Sequence, residues 1–149
     1  MKIPIPVSAV LAQKSPEVAS IRPDATVFDA ISVMSEKNIG ALPVIEDARL
    51  IGIISERDYT RRVVLKGKSS RQTLVREIMT QQPIVATTAY TIEECMRLMT
   101  EKHIRHLPIV EGDKMLGIVS IGDLVKWIIT AQAETIEQLK KYISGEYPA

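Results

Sequence analysis

The sequence GIISERD at residues 52–58 occurs again, in the related form GIVSIGD, at residues 117–123. Outward from it, residues 24–58 align without a gap against residues 89–123. About a dozen aligned positions are identical at a period of roughly 65 residues, which is the signature of a duplicated structural unit. We therefore expect two similar units that pack against each other, with a ligand site at the seam between them.

Length and composition favour a compact globular protein. The chain has 149 residues, of which 46% are hydrophobic, and this suffices for a core shared by two small halves. A net charge of +1 argues against a chain built mainly to coat nucleic acid or an acidic membrane. The single cysteine, Cys95, excludes an internal disulfide, so the fold needs no oxidising compartment. The N-terminus is a poor signal peptide, and no run approaches the roughly 18 apolar residues of a membrane span, so we expect a cytoplasmic protein.

Each copy reads as strand, helix, strand, strand, helix. Thr26 and Thr91 have the character of helix N-caps, and the helices that follow them are expected to end near Asn38 and His103. A second helix begins just after the serine of each motif and runs toward Lys66 in copy one and Ala133 in copy two. The predicted strands are 18–21, 41–45 and 50–54 in copy one, and 84–86, 106–110 and 115–119 in copy two.

These elements predict an α+β fold, an α/β sandwich built from a pseudo-two-fold pair of repeats. Each repeat is a small, mainly antiparallel three-stranded sheet with two helices. We divide the chain into a first domain at 1–68, a second at 69–133 and a C-terminal helix and tail at 134–149, with a polar linker at 66–71. An extra amphipathic helix is expected from Thr135 to Ser144.

The serine and aspartate of each motif have two readings. Ser55 and Ser120 stand where a buried strand ends and a helix begins, which suits an N-cap, and Asp58 and Asp123 three residues on complete a capping box. The same carboxylates can accept hydrogen bonds from two neighbouring ribose hydroxyls, beside free helix amides that favour anionic groups. Because the motif occurs twice at the same place in the repeat, both readings stay open.

The repeat resembles the CBS domain, named after cystathionine β-synthase. The resemblance rests on the helix starts at Thr26 and Thr91, the Leu-Pro pairs at 42–43 and 107–108, the glycine strands, and the two Ser-x-x-Asp ends. It implies a stand-alone tandem pair, a Bateman module of the bacterial type. Such a pair acts in regulation and signal transduction, binds AMP, ADP, ATP, NAD or S-adenosylmethionine between its copies, and forms a homodimer. The aspartates would then hold the ribose, and Gly40-Ala41 and Arg105-His106 would line the adenine or reach the phosphates.

The two copies differ at polar positions. Gly40-Ala41 stands in copy one where copy two has Arg105-His106, and Glu56-Arg57 stands where copy two has Ile121-Gly122. Four cationic or titratable side chains are candidates to converge on phosphates across the seam, namely Arg57, His103, Arg105 and His106. We expect two unequal sites, with the more phosphorylated ligand bound where Arg105 lies.

The leading interpretation is therefore a nucleotide-sensing regulatory module that signals to an unidentified partner protein and is not an enzyme. We find no set of nucleophile, base and orienting residue, no convincing metal-ligand cluster and no cofactor beyond the regulatory nucleotide. One alternative is a structural or interaction module with empty clefts. The other is a nucleic-acid-binding regulator that uses the basic stretch at 57–71, which lacks an aromatic platform for stacking bases.

Overall fold

A computed structural model of the chain describes residues 4–14 and 17–144. Residues 1–3 of the first predicted domain and the predicted tail at 145–149 lie outside these ranges. The described helices are α1 Ser8–Ala12, α2 Val27–Lys37, α3 Glu56–Tyr59, α4 Val75–Ile78, α5 Ile92–Lys102 and α6 Ile121–Ser144. The strands are β1 Ala41–Glu46, β2 Arg49–Ser55, β3 Thr80–Gln81, β4 Ala86–Thr87, β5 His106–Glu111 and β6 Lys114–Ser120.

Local sequence signals explain where the long helix of each repeat begins and ends. The Thr26 hydroxyl accepts from the Asp29 amide, and the Thr91 hydroxyl accepts from the Glu94 amide, each at 3.1 Å. Each helix ends at a residue in the left-handed conformation, Asn38 in α2 and His103 in α5. The predicted helix starts and ends are therefore confirmed. Asn tolerates this backbone conformation well because its short polar side chain bonds locally.

Two three-stranded sheets form, in the orders β1-β2-β3 and β4-β5-β6. The pairs β1-β2 and β5-β6 are antiparallel hairpins, and β3 is antiparallel to β2, whereas β4 runs parallel to β5. The predicted α+β fold, with one small, mainly antiparallel sheet in each repeat, is confirmed.

The predicted strand at 18–21 is wrong, because only Ile21 pairs with β1, through a single parallel bridge to Val44. Extending this ladder would require an N–H from Pro43 on one side and from Pro23 on the other, and proline has none. The second repeat has Thr88 where the first has Pro23, and there the pairing extends to the two-residue strand β4. That strand covers 86–87 instead of the predicted 84–86.

The core of each repeat includes residues from the segment that precedes the other repeat. The core of the first repeat includes Val75 and Ile78 of α4, from the segment that precedes the second repeat. The core of the second repeat includes Val7 and Val10, from the segment that precedes the first repeat. Each repeat is therefore completed by the segment that precedes the other repeat, here called the leading segment of that repeat. The domain boundaries at 68 and 133 stay a prediction.

The second helices of the two repeats differ from each other and from the prediction. In the first repeat α3 continues as a π-helical turn over Thr60–Val64, closed by the Leu65 amide on the Thr60 carbonyl at 3.0 Å. In the second repeat α6 runs without a break over 24 residues, so the separate helix expected from Thr135 is the distal half of α6. The sequence between Asp123 and Ser144 contains neither glycine nor proline, and nothing interrupts the hydrogen-bonded ladder.

Candidate functional site

A cleft of about 1280 Å³ lies at the seam between the two repeats, on the side of Asp58. It is larger than the roughly 300–1,000 Å³ typical of small-molecule pockets. Both repeats contribute to its walls. Eight of the predicted site residues line it, namely Gly40, Ala41, Ser55, Arg57, Asp58, His103, Arg105 and His106.

The Asp58 carboxylate is held at the wall of this cleft by the start of α3. The Ser55 amide and hydroxyl both donate to Asp58 Oδ2, at 2.9 and 3.0 Å, and the Asp58 amide donates to Ser55 Oγ at 3.2 Å. The predicted capping box at Ser55 is therefore confirmed. Within the described residues no donor reaches Asp58 Oδ1, which leaves one carboxylate oxygen to accept from a ligand.

Four arginines stand around the cleft against two carboxylates, those of Glu56 and Asp58. Arg57 crosses the seam and donates to the backbone carbonyl of His103 at 3.1 Å, so it ties the first repeat to the end of α5. All four arginines are exposed, and the other three are Arg61, Arg62 and Arg105. Arg62 donates to the Ile78 carbonyl at 2.8 Å and thereby holds the end of α4. The excess positive charge favours an anionic ligand.

Gly40 lies close to side chains of both repeats, those of Glu56 and His106. A Cβ at this position would stand 3.3 Å from both Glu56 Oε1 and His106 Cε1, so a larger residue would displace one of them. Burial lowers the pKa of His106, and the charges of Lys14 and Arg105 act in the same direction, while those of Asp123 and Glu56 raise it. The neutral form of the imidazole is therefore favoured, and the ring lies next to Gly40.

The second motif carboxylate, Asp123, is already bound by a lysine. Lys14 Nζ donates to Asp123 Oδ2 at 2.6 Å and to the Ile118 carbonyl at 2.7 Å. Burial raises the pKa of the Asp123 carboxyl, but the hydrogen bonds from Lys14 and Ser120 and the charge of Lys14 outweigh it and lower the pKa overall. Asp123 does not line the described cleft. The two motif aspartates are therefore in different environments.

Three further predicted residues also lie outside the lining of this cleft. Thr26 and Thr91 serve as helix caps, and Ser120 caps α6 by accepting from the Asp123 amide at 3.0 Å. A ligand role for them stays a prediction.

Two residues that the sequence analysis did not select are placed at the motif aspartates. Lys14 binds Asp123, and Gln82 lines the cleft of Asp58. A signal for them exists in the sequence. Val7, Val10 and Leu11 have the same spacing as Val75, Ile78 and Met79, and this spacing aligns Lys14 with Gln82.

Cys95 is fully buried, and burial together with the neighbouring Glu94 raises the pKa of its thiol to about 11, which keeps it protonated and packed in the core. Within residues 4–14 and 17–144, no cluster of His, Cys, Asp and Glu has the geometry to hold a metal ion. Nor does any helix in the described part of the chain combine the length and apolarity needed to cross a bilayer.

A family model described as the CBS domain matches the chain twice, at residues 7–65 and 75–130. Among curated proteins, the CBS domain-containing protein CBSX3, mitochondrial, of Arabidopsis thaliana is 41% identical over 129 residues, covering 83% of this chain and 63% of the relative. The CBS domain-containing protein YhcV of Bacillus subtilis is 35% identical over 117 residues, covering 78% of this chain and 83% of the relative.

Solved structures have the same fold. A protein with CBS domains from Burkholderia ambifaria MC40-6, which has a provisional name as a signal-transduction protein, superposes with a TM-score of 0.82 at 43% identity. The match covers 85% of this chain and 96% of that one.

Proposed function

The chain belongs to the CBS-domain family as a tandem pair, and we propose that it is a regulatory module that senses adenine nucleotides in the cleft beside Asp58. Tandem CBS proteins are commonly regulatory and are generally not catalytic. The proposal adds the ligand, which is AMP, ADP, ATP or NAD bound as a signal. One observation carries it: Asp58 keeps a carboxylate oxygen free of described donors at the wall of an arginine-rich cleft.

The Ser55–Asp58 capping box supports a ribose site. Both donors from Ser55 converge on Oδ2, so the carboxylate is fixed in orientation before any ligand arrives. A carboxylate fixed in this way accepts from neighbouring 2′ and 3′ hydroxyls without losing further side-chain entropy.

The charge around the cleft supports a phosphorylated ligand. Arg105 and Arg61 line it, and neither has an ion pair within the described residues. Charge-assisted hydrogen bonds contribute about 1.5–3 kcal/mol each, so two arginine–phosphate contacts change affinity by roughly two to four powers of ten. This cleft is the one that gathers Arg105, and we therefore assign it the more phosphorylated ligand.

The mechanism follows from which residues the ligand touches. A nucleotide between Asp58 and Arg105 contacts both repeats at once and favours the relative orientation that lets it do so. Binding thereby shifts the population of orientations and the surface offered to a partner protein. The Arg57 bond to the His103 carbonyl crosses the same seam and is a contact that such a shift would alter.

Calorimetry and thermal shift with AMP, ADP, ATP, NAD and S-adenosylmethionine test the proposal. A true ligand at one hundred times its Kd adds about 2.7 kcal/mol of stability, which corresponds to a rise in Tm of roughly 5–10 °C. Asp58→Asn should weaken the best ligand at least tenfold, since the amide keeps an acceptor for the Ser55 cap but loses the charge. Arg105→Gln should weaken ATP more than AMP.

Asp113→Asn, the same change in the exposed turn between β5 and β6, is the matched control and should bind like wild type. No thermal shift with any of the five ligands would overturn the proposal and favour an interaction module with empty clefts. Unchanged affinity in Asp58→Asn would remove the ribose assignment.

The nucleic-acid alternative is weakened by what the basic stretch already contacts. Arg57 and Arg62 donate to backbone carbonyls, and the Arg71 guanidinium stacks 3.8 Å from the centre of the Phe28 ring. Steeply salt-dependent DNA or RNA binding that is lost on neutralising Arg61 and Lys68 would restore this alternative.

We propose that the protein is a homodimer whose contact includes α6. The exposed apolar residues of α6 form a stripe in which successive positions are four and three residues apart, and Gln132 occupies one position of this stripe. The apolar members are Val125, Ile129, Ile136, Leu139 and Ile143. From residue 132 onward every residue of α6 with a described side chain is exposed, so the distal half leaves the body of its own chain. Apolar side chains spaced alternately by four and three residues along a helix pack well against a second copy of the same helix.

Sedimentation equilibrium tests this contact. Leu139→Lys should convert dimer to monomer or raise the dissociation constant at least tenfold, because a charge replaces an apolar side chain in the stripe. Gln138→Lys, on a neighbouring exposed position outside the stripe, is the control. A wild-type monomer at high micromolar concentration would contradict the proposal.

A further inference from the structure

The segments that precede the two repeats dock in equivalent ways on the opposite repeat. The Val7 amide donates to the Tyr90 carbonyl at 2.7 Å, and the Val75 amide donates to the Ala25 carbonyl at 2.8 Å. Ala25 and Tyr90 are aligned positions of the duplicated sequence. The first segment therefore occupies on the second repeat the place that the second segment occupies on the first.

These segments pack closely against the motif glycines, Gly117 and Gly52. A Cβ on Gly117 would stand 2.8 Å from Leu11 Cδ2, and a Cβ on Gly52 would stand 2.7 Å from Met79 Sδ. Leu11 and Met79 each lie four residues after the equivalent valine. Three residues further on, the first segment has Lys14 and the second has Gln82.

Lys14 and Gln82 differ in whether they contact the motif carboxylate of the repeat on which they pack. Lys14 extends to Asp123 Oδ2 at 2.6 Å and to the Ile118 carbonyl at 2.7 Å. Gln82 lines the cleft at Asp58 and makes no described hydrogen bond to that carboxylate. We propose that the side chain at this position decides whether the motif carboxylate is available to a ligand. Lys14 occupies Asp123 as an internal cation, and Gln82 leaves Asp58 free.

The proposal rests on the nucleotide-binding function proposed above and specifies its stoichiometry. Neutral ribose hydroxyls compete poorly with an ammonium group for a carboxylate, because the ammonium adds the attraction between two opposite charges to its hydrogen bond. A nucleotide at Asp123 would also have to free Lys14 from the Ile118 carbonyl. One nucleotide per chain should therefore bind with high affinity, at Asp58.

Reciprocal substitutions test the assignment with AMP and ATP as probes in calorimetry. Lys14→Gln gives the second site the residue of the first, and should add a second binding event at least tenfold tighter than any second event in wild type. The double variant Lys14→Gln with Asp123→Asn should lose that event. Gln82→Lys should weaken the wild-type event at least tenfold. Lys114→Gln, the same change at an exposed strand end, is the control for charge.

A second readout needs no ligand. The charge of Lys14 lowers the pKa of the His106 imidazole, so Lys14→Gln should raise that pKa in an NMR titration, and Lys114→Gln should not. His103, the other histidine, is assigned by a His103→Gln variant.

The outcomes separate the two proposals. One event per wild-type chain and two in Lys14→Gln support the assignment. Two equal events in wild type, no gain in Lys14→Gln, or an unchanged His106 pKa would overturn it and leave nucleotide sensing at Asp58 intact. Absence of binding by wild type and by every variant would overturn both.

Discussion

Alanine substitutions at Gly52 and Gly117 should have different costs, although the two glycines occupy aligned positions. In both, an added Cβ would stand closer than 3.0 Å to a neighbouring atom. At Gly117 that atom is Leu11 Cδ2, the end of a flexible side chain. At Gly52 the neighbours include the Thr80 backbone oxygen at 2.9 Å as well as Met79 Sδ at 2.7 Å. A change of the Leu11 rotamer can relieve the contact at Gly117, whereas no rotamer change can relieve the contact of Gly52 with the Thr80 backbone.

The magnitudes follow from this difference. Overpacking of a fitted core costs about 1–3 kcal/mol, and we expect Gly52→Ala to lie in this range because β3 must move away from β2. In Gly117→Ala a smaller clash is offset by the roughly 0.5–1 kcal/mol that alanine gains over glycine inside a strand, so the net change should be near zero. For a chain of this size the difference corresponds to a Tm gap of about 2–12 °C.

Urea unfolding monitored by circular dichroism, with the midpoint and slope compared across the three proteins, measures the effect. Gly52→Ala should also weaken nucleotide binding, because β3 leads directly into Gln82 at the cleft. Equal losses in the two variants, or a larger loss in Gly117→Ala, would show that the docking of β3 is not limited by the backbone contact at Gly52.

Further predictions concern titration, capping and the thiol. Because the pKa of His106 is lowered in the folded chain, the unfolded chain binds more protons as the pH falls below about 6.5, and the free energy of unfolding should decrease. His106→Gln should flatten this part of the plot of stability against pH. The lowered pKa of Asp123 contributes stability above pH of about 4 that is lost on further acidification, and Lys14→Gln should reduce this contribution. Ser55→Ala should cost about 1 kcal/mol in urea unfolding, and Ser32→Ala on the exposed face of α2 should cost less. Cys95 should react with iodoacetamide only through unfolding, at the rate of the unfolded chain multiplied by the unfolded fraction, and prompt labelling in the folded state would contradict its burial.

Local signals allowed much of the fold to be predicted from the sequence. The caps at Thr26 and Ser55 and the helix end at Asn38 depend on neighbours within four residues, and all were predicted correctly. The strand predicted at 18–21 failed because its pairing depends on prolines in two segments that are distant in the sequence. The separate terminal helix predicted from Thr135 was wrong, because no helix-breaking residue lies between Asp123 and Ser144 and α6 continues through both predicted helices.

Part of the candidate site could likewise be predicted from the sequence, and part could not. Asp58, Arg105 and His106 were selected from the repeat and its asymmetry, and the structure brings them to one cleft. Only the tertiary structure shows that the leading segments exchange between repeats and that Lys14 reaches Asp123 across more than a hundred residues. The sequence alone determined that one unit is used twice and which polar positions differ, because caps, turns and periodicity are encoded by near neighbours. Tertiary structure decided which carboxylate stays free, because that depends on which distant segment packs against each glycine strand.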